Sequence, residues 1–337
     1  MNCRCLFIVL SVLIVCGVEV QAADVPAAQA SIVKIRAFIP SDARTAAALG
    51  TQREGSGVVI DPDGHILTIG YLIIESEAIE VVRPDGTSMV ASYVGYDHAT
   101  GFGLLKVGQP RGLVPVKLGQ SSQLNIGDPI LLVSHGSAGA IRPASLIARQ
   151  DFAGYWEYLL DEAFFVAPPH PGFAGAAMLD ADGRLMGIGS IYTQLLMPQY
   201  GTVPCNMFVP IDLLKPILPD LIKKGRAAKP SRPWLGLNVD EARGRVFIDR
   251  VHADSPAETA GLQENDIILG VNQEPVTGLA DFYSKVWALG HAGVRVPLTV
   301  LQGDRIKEFD VLSADRYDYL RIRPSLKAPR AIIEKAI

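Results

Sequence analysis

Apolar positions along this chain come in short runs, and nearly every run is bounded by Gly, Pro or Asp. Gly55-Ser56-Gly57-Val58-Val59-Ile60-Asp61 is followed by the turn Pro62-Asp63-Gly64 and then by His65-Ile66-Leu67-Thr68, which is the pattern of a β-hairpin. Further runs of this kind lie at residues 79–82, 89–93, 104–107, 130–133, 144–149, 164–167, 177–179 and 185–188. Many short strands at this spacing predict an all-β sandwich or barrel, and pattern alone does not choose between the two. The rhythm changes at residues 213–224, where Leu214, Ile217, Leu218, Leu221 and Ile222 make an apolar stripe at helical spacing. A basic, Pro-bearing break at residues 225–233 reads as a linker. Beyond it a second series begins, with strands at 246–248 and 296–301 and a helix at 281–289 between them.

Length and composition support two globular domains. The chain has 337 residues, 49% of them hydrophobic and 20% charged. A net charge of −4 argues against a nucleic-acid surface. Residues 1–22 have the form of a secretory signal: Arg4, an apolar stretch over 6–18, and Val20-Gln21-Ala22 before Ala23. The alternative is an uncleaved anchor, for which the apolar stretch is short. Removal of the signal takes Cys3, Cys5 and Cys16 with it, so Cys205 remains alone and is expected to be a buried small hydrophobe. No Cys/His cluster has zinc-ligand spacing, and no metal or cofactor is expected.

Residues 166–186, V-A-P-P-H-P-G-F-A-G-A-A-M-L-D-A-D-G-R-L-M, combine a Pro-Gly turn with a run of very small residues. They resemble the nucleophile loop of the HtrA/Do-like, trypsin-like serine proteases, N-P-G-N-S-G-G-P/A-L. On that motif His170 takes the first Asn, Pro171 and Gly172 match, Phe173 takes the second Asn, and Ala174 stands at the nucleophilic Ser. The hairpin at 55–68 resembles the family's opening hairpin. Val94-Gly95-Tyr96-Asp97 with Leu104-Leu105-Lys106-Val107 resembles the strand motif that carries the triad Asp. Phe208-Val209-Pro210-Ile211-Asp212 and the helix after it resemble the closing strand and helix. The similarity runs in order over about residues 50–224. It implies a mainly β fold, a trypsin-like double antiparallel β-barrel.

That family's chemistry needs a hydroxyl to attack, an imidazole to take its proton and a carboxylate to orient the imidazole. The same alignment places Tyr71 at the His and Gly101 at the Asp, beside Ala174 at the Ser. A phenol is a poor proton acceptor at neutral pH, glycine orients nothing, and alanine forms no acyl-enzyme. The triad is therefore read as degenerate. The backbone N–H groups around Gly172, Phe173 and Ala174 could still form a niche for an anion. Four histidines remain to be placed. His170 is either a base beside the vacated site or a cap on its loop. Ser134-His135 is a candidate displaced pair. His65 is read as an ordinary hairpin position, and Asp97-His98 as a turn with a surface histidine.

The second series resembles a bacterial PDZ domain. Pro233-Trp234-Leu235-Gly236-Leu237 resembles the carboxylate-binding loop and the strand after it. Residues 255–268, S-P-A-E-T-A-G-L-Q-E-N-D-I-I, resemble the family's S-P-A-x-x-A-G-L-x-x-G-D-x-I, with Asn265 at a usual Gly, as a turn with φ > 0 would allow. The domains implied are a signal peptide at 1–22, a peptidase-like domain at 23–224, a linker at 225–232, a PDZ domain (a β-sandwich with helices) at 233–326 and a tail at 327–337. In such a domain Trp234, Leu235, Gly236 and Leu237 form the carboxylate loop, and Leu235, Gly236 and Leu237 supply its amides. Phe282 and Val286, one helical turn apart, either line the side-chain pocket or pack in the core. Exchange of Gly236 for Val is expected to spoil binding while leaving the domain folded.

The resemblance thus implies a secreted, periplasmic protein that has lost its peptidase chemistry. It would bind peptide C-termini or unfolded proteins as a chaperone, adaptor or regulator of active relatives, and could form homo- or hetero-oligomers, trimers by family resemblance. The alternative is a serine endopeptidase of periplasmic protein quality control with a displaced or non-standard triad.

Overall fold

The computed structural model describes residues 29–136 and 140–322. The signal at 1–22 and the tail at 327–337 lie outside these residues. Two six-stranded antiparallel barrels and one open sheet make up the molecule. The first barrel runs in the order β1-β2-β3-β6-β5-β4, from β1 (Ile32–Phe38), β2 (Gln52–Val59), β3 (His65–Ile69), β4 (Ala78–Val82), β5 (Ser88–Tyr96) and β6 (Phe102–Val107). The second runs β10-β11-β12-β9-β8-β7, from β7 (Pro129–Val133), β8 (Ile141–Gly154), β9 (Tyr158–Ala167), β10 (Ala177–Leu179), β11 (Leu185–Met197) and β12 (Gly201–Pro210). Closure of a sheet removes its edges, which so many short strands would otherwise expose. Barrels, and not a sandwich, are thus the answer for residues 32–210.

Two strand pairs are far longer than the apolar runs suggest. Strands β8 and β9 pair from Ser145↔Ala167, leave the barrel wall beyond Arg149↔Phe164 and stay paired to Gly154↔Tyr158. Strands β11 and β12 extend to Met197↔Gly201. Their outer arms are not enclosed by a barrel, so they lack the continuous apolar run that marks a buried strand. The stripe at 213–224 is also shorter than its periodicity suggests. Ile211–Leu213 is a single 3-10 turn, and the α-helix covers only Leu218–Lys224. Pro216 and Pro219 account for this, since proline cannot donate within a helix and is tolerated in its first turn. Leu214, Ile217 and Leu221 are buried as expected, but Ile222 is exposed.

The third unit is a sheet in the order β13-β14-β15-β17-β18, with β16 paired to β15. Its strands are β13 (Leu237–Ala242), β14 (Arg245–Val251), β15 (Ile267–Val271), β16 (Glu274–Pro275), β17 (Arg295–Gln302) and β18 (Arg305–Leu312). The helix Leu279–Ala288 packs Phe282, Tyr283 and Val286 into its core. Asn265 has φ 71, the left-handed value that its position requires.

The units are joined by more than the linker. Residues 313–321 return between them. Asp315 accepts from Arg226 and Ser231 of the linker and caps the short helix Arg316–Tyr319 through the Tyr317 N–H. The carboxylate of Glu75 accepts from the backbone N–H groups of Arg44, Thr45 and Arg321. His98 is not a surface residue. Its Nδ1 lies 3.1 Å from the Tyr96 hydroxyl, its Nε2 lies 3.1 Å from the Glu157 carbonyl, and its N–H donates to the Tyr317 hydroxyl. His98 is half-buried, whereas His65 is buried, with Nδ1 2.6 Å from the Asp61 carboxylate. Cys205 is buried as expected, and burial pushes its thiol up to about 11.

Two histidines at the junction make the fold sensitive to acid. Burial, and then the charge of Arg316, hold His98 well below its ordinary value and His252 at about 4. Between about pH 6.5 and 4 the unfolded chain therefore binds protons that the folded chain refuses, so stability falls as pH falls through that window. Urea midpoints measured from pH 7.5 to 5 should decline below pH 6.5, and His252→Gln should flatten the decline.

Candidate functional site

The loop at 170–176 is held by its own side chains. His170 is buried, and its Nδ1 accepts the Gly172 N–H at 2.9 Å. Its Nε2 faces the Ala140 carbonyl at 3.2 Å, which places the proton on that nitrogen. The His170 N–H donates to Asn206 Oδ1 at 2.6 Å. With both ring nitrogens committed, His170 caps the loop and is not a base. The same contact takes the Gly172 N–H out of the expected anion niche, because it is spent on the imidazole. The small residues after it have a steric reason. Gly175 has φ 72, and a Cβ there would lie 2.0 Å from the Ser56 carbonyl. The Ser56 N–H in turn donates to the Ala174 carbonyl at 2.8 Å.

The neighbourhoods of Tyr71, Gly101 and Ala174 are linked by close backbone contacts. A Cβ on Gly55 would meet both Leu72 Cδ1 at 2.3 Å and the Ala174 carbonyl at 2.9 Å, and the Gly70 N–H donates to the Gly101 carbonyl at 2.7 Å. Tyr71 lies in the 3-10 turn Gly70–Leu72, and its hydroxyl donates to the Ser190 carbonyl at 2.6 Å. Burial pushes this phenol's pKa up, further from use as a base. Gly101 has φ 84, and a Cβ there would stand 3.3 Å from Ile69 Cδ1 and 3.5 Å from the Tyr158 hydroxyl. An aspartate at 101 would therefore be strained and would face a phenol that already donates to the Thr100 carbonyl at 2.8 Å. Asp97 does not replace it, because its Oδ2 accepts from the N–H and the hydroxyl of Thr100.

Ser134 and His135 do not pair through their side chains. Ser134 Oγ donates to the His135 carbonyl at 3.2 Å, and the His135 ring turns to Ser56, with Nδ1 3.0 Å from its Oγ. The His135 N–H donates to that same oxygen at 3.0 Å. Ser56 is fully buried, and burial lowers the pKa of His135. The nearest approach to a metal site among the described residues is Asp61, Asp63 and His65, whose ligand atoms lie within 4.8 Å of one another. There the His65 Nδ1 is already bonded to Asp61.

The second site is the loop at 234–237. The N–H groups of Leu235, Gly236 and Leu237 converge, as expected of a carboxylate cradle, and they converge on a carboxylate. Leu235 donates to Glu157 Oε2 at 2.9 Å, and Gly236 and Leu237 donate to Glu157 Oε1 at 2.7 and 2.9 Å. Glu157 is 3% exposed and lies at the tip of the β8–β9 hairpin. Burial pushes its pKa up, against the opposing pull of the three amides and Arg316. The hairpin tip also lies along β13, where the Val239 N–H donates to the Tyr155 carbonyl at 2.9 Å. Trp234 is buried and packs against Tyr319, with ring centroids 4.4 Å apart and the rings tilted.

Phe282 and Val286 are each 1% exposed within the core of the sheet. The helix residue that reaches the hairpin is Tyr283, between them. Its hydroxyl donates to the Gly154 carbonyl at 2.7 Å and accepts the Glu157 N–H at 3.1 Å. Neither Tyr283 nor Glu157 carries a motif, and only the fold brings them to the loop. Gly236 has φ 85, and a Cβ there would lie 2.2 Å from Ser255 Cβ. Gly236→Val is thus a folding mutation as well as a binding one, which corrects the sequence expectation.

The trypsin-like peptidase domain family matches residues 55–188, and the PDZ domain family matches residues 233–312. A probable periplasmic serine endoprotease DegP-like from Brucella suis is 28% identical over 278 residues, covering 77% of this chain and 52% of the relative. The periplasmic serine endoprotease DegP of Escherichia coli is 24% identical over 253 residues, covering 69% and 51%. The chain therefore spans about half the length of these relatives. Among solved structures, the serine endoprotease from Yersinia pestis aligns with a TM-score of 0.50 at 23% identity, over 86% of this chain and 96% of that one. The HtrA-type protease AlgW with decapeptide aligns with a TM-score of 0.50 at 21% identity, over 89% and 98%. None of the described helices is long and apolar enough to cross a membrane.

The bond from Tyr71 to Ser190 is an internal one and should register as stability. Tyr71→Phe should cost about 1–2 kcal/mol, since it strands a buried carbonyl. Tyr71→Ala should cost roughly 3–5 kcal/mol through the added cavity. Both are measured by urea denaturation at pH 7.5.

Proposed function

The chain is an HtrA-type protein, a trypsin-like peptidase domain joined to a PDZ domain, and on that premise we propose that it works by binding peptide and not by cutting it. The observation that carries this reading is the convergence of the Leu235, Gly236 and Leu237 amides on a carboxylate. Three aligned N–H donors in a buried loop are a receptor for one chemical group, and charge-assisted bonds of this kind are the stronger ones. In the proposed complex a peptide's free terminal carboxylate takes these amides. Its preceding residues add to β13 through the Val239 N–H, and its last, apolar side chain turns toward Phe282 and Val286.

The peptidase half supports the same reading. Position 174 has no nucleophilic atom, the phenol at 71 is hydrogen-bonded elsewhere, and the backbone at 101 is left-handed. The N–H that would hold an oxyanion is bonded to His170. We assign the mature protein to the periplasm, on the signal-like pattern of residues 1–22 and on the names of its relatives. In that setting its ligands are the exposed C-termini of damaged or unassembled proteins.

One observation favours a second reading, a peptidase with displaced chemistry. Ser56 and His135 form a hydroxyl–imidazole pair next to the Ala174 carbonyl. Against it, Ser56 is fully buried, and among the described residues no hydrogen bond is made by His135 Nε2.

A fluorophosphonate probe separates the two. The purified chain should remain unlabelled and should leave unfolded casein intact, whereas labelling of Ser56 would establish the second reading. Ala174→Ser alone should restore no turnover, because a triad acts as a unit. Tyr71→His, Gly101→Asp and Ala174→Ser together should also fail, because the oxyanion donor stays bonded to His170.

Binding is tested on the full chain by fluorescence anisotropy with paired peptides ending in a free acid or an amide. The free acid should bind more tightly by about 1.5–3 kcal/mol, the difference expected for hydrogen bonds to a charged group. Equal affinity of the pair would sink the reading.

A further inference from the structure

We infer that the β8–β9 hairpin tip is a built-in ligand of the PDZ groove: Glu157 stands in for a terminal carboxylate, and an incoming peptide binds only by displacing it. This rests on the reading of the groove as a peptide site and names how that site is regulated.

The hairpin engages the groove in the register of an added strand. Glu157 fills the amide loop, and the Tyr155 carbonyl, two residues earlier, takes the Val239 N–H, as the two-residue period of a strand requires. A chain that continues past the loop has no terminal carboxylate to offer. Here Glu157 adopts φ 56, uncommon for a non-glycine residue, and the backbone turns away to Tyr158 while the side-chain carboxylate enters the loop. Tyr283 grips the tip from the helix side through the Gly154 carbonyl and the Glu157 N–H, and Arg316 donates to the Trp156 carbonyl at 2.8 Å.

A simple interdomain tie does not call for a buried charge. Burying a carboxylate is costly unless its oxygens are fully bonded, and packed apolar groups would join two domains more cheaply. The charge instead matches the donors that a ligand would use. A tethered ligand also acts at a fixed effective concentration, so the apparent affinity for peptide is the intrinsic one reduced by the fraction of molecules with an open groove.

The test uses the full chain and four forms: wild type, Glu157→Gln, Glu157→Ala and Tyr283→Phe. Glu157→Gln keeps the shape of the side chain and carries the test if Glu157→Ala loses its near-ultraviolet circular dichroism. Amide exchange at Leu235, Gly236, Leu237 and Val239 should quicken at least tenfold in both Glu157 variants, and less in Tyr283→Phe. Exchange in β17 should stay unchanged, which separates release of the hairpin from general loosening. Affinity for a free-acid peptide with an apolar last residue should rise at least tenfold in the Glu157 variants. Unchanged exchange at the four amides, or equal peptide affinity in wild type and Glu157→Ala, overturns the proposal. Equal binding of free-acid and amide peptides to Glu157→Ala, with exchange quickened, overturns the reading of the groove as a C-terminus receptor and leaves the built-in ligand standing.

Discussion

The carboxylate of Glu157 is the contact on which the relation between the two halves of the molecule depends. A buried charge is tolerated only when its oxygens are satisfied, and here three backbone amides satisfy them. The dependence is mutual, since an amide loop turned inward without an acceptor would leave three N–H groups stranded. Around this contact the remaining junction falls into place. Arg316 lies against Trp156 and His98, Tyr317 bonds the N–H of His98, and Glu75 gathers the ends of two distant segments. Trp234 pairs with Ala314 by two backbone bonds and starts the sheet from the same strip of chain.

In the peptidase half, the three positions read as a degenerate triad are all tied into the surrounding backbone. Tyr71, Gly101 and Ala174 each have a structural task. The Tyr71 hydroxyl ties its turn to Ser190, Gly101 supplies a left-handed bend whose carbonyl anchors Gly70, and the Ala174 carbonyl holds the N–H of Ser56. The imidazole of His170 closes the nearby loop from inside. These bonds add rigidity where a catalytic cleft would need open donors and a mobile proton.

Much of this was legible in the sequence, and what was not has a common cause. The barrel strands could be read because burial on both faces or alternation on one leaves an apolar signature, as in residues 55–68. The amide loop could be read from Trp234 to Leu237 because a close backbone approach needs glycine at 236. The turn at Asn265 could be read for the same reason. The long arm of β8 and β9 could not, because residues 150–158 lie beyond the barrel wall and carry no strict period. Glu157 gave no local signal at all: its role exists only where a hairpin from one domain meets a loop nearly eighty positions further on. His98 was misread as a surface residue because what covers it, Tyr317 and Arg316, comes from the far end of the chain. The stripe at 213–224 misled in the opposite direction, since its period was genuine but two prolines confined the helix to the second half.

The length of the hairpin has a mechanical side. From Ser145 in the barrel wall to Gly154 at the tip, β8 runs as one strand with its register shifting between Leu146 and Ala148 and again between Gln150 and Phe152. Such bulges are where a two-stranded ribbon bends. Beyond the barrel pair Arg149↔Phe164, five residues of extended chain make an arm of about 16 Å, so a tilt of about 20° at its base swings the tip through about 6 Å. That travel exceeds the reach of any hydrogen bond. The arm is thus a lever whose fulcrum lies in the barrel, and the bond from the Tyr158 hydroxyl to the Thr100 carbonyl is the catch that any swing must release.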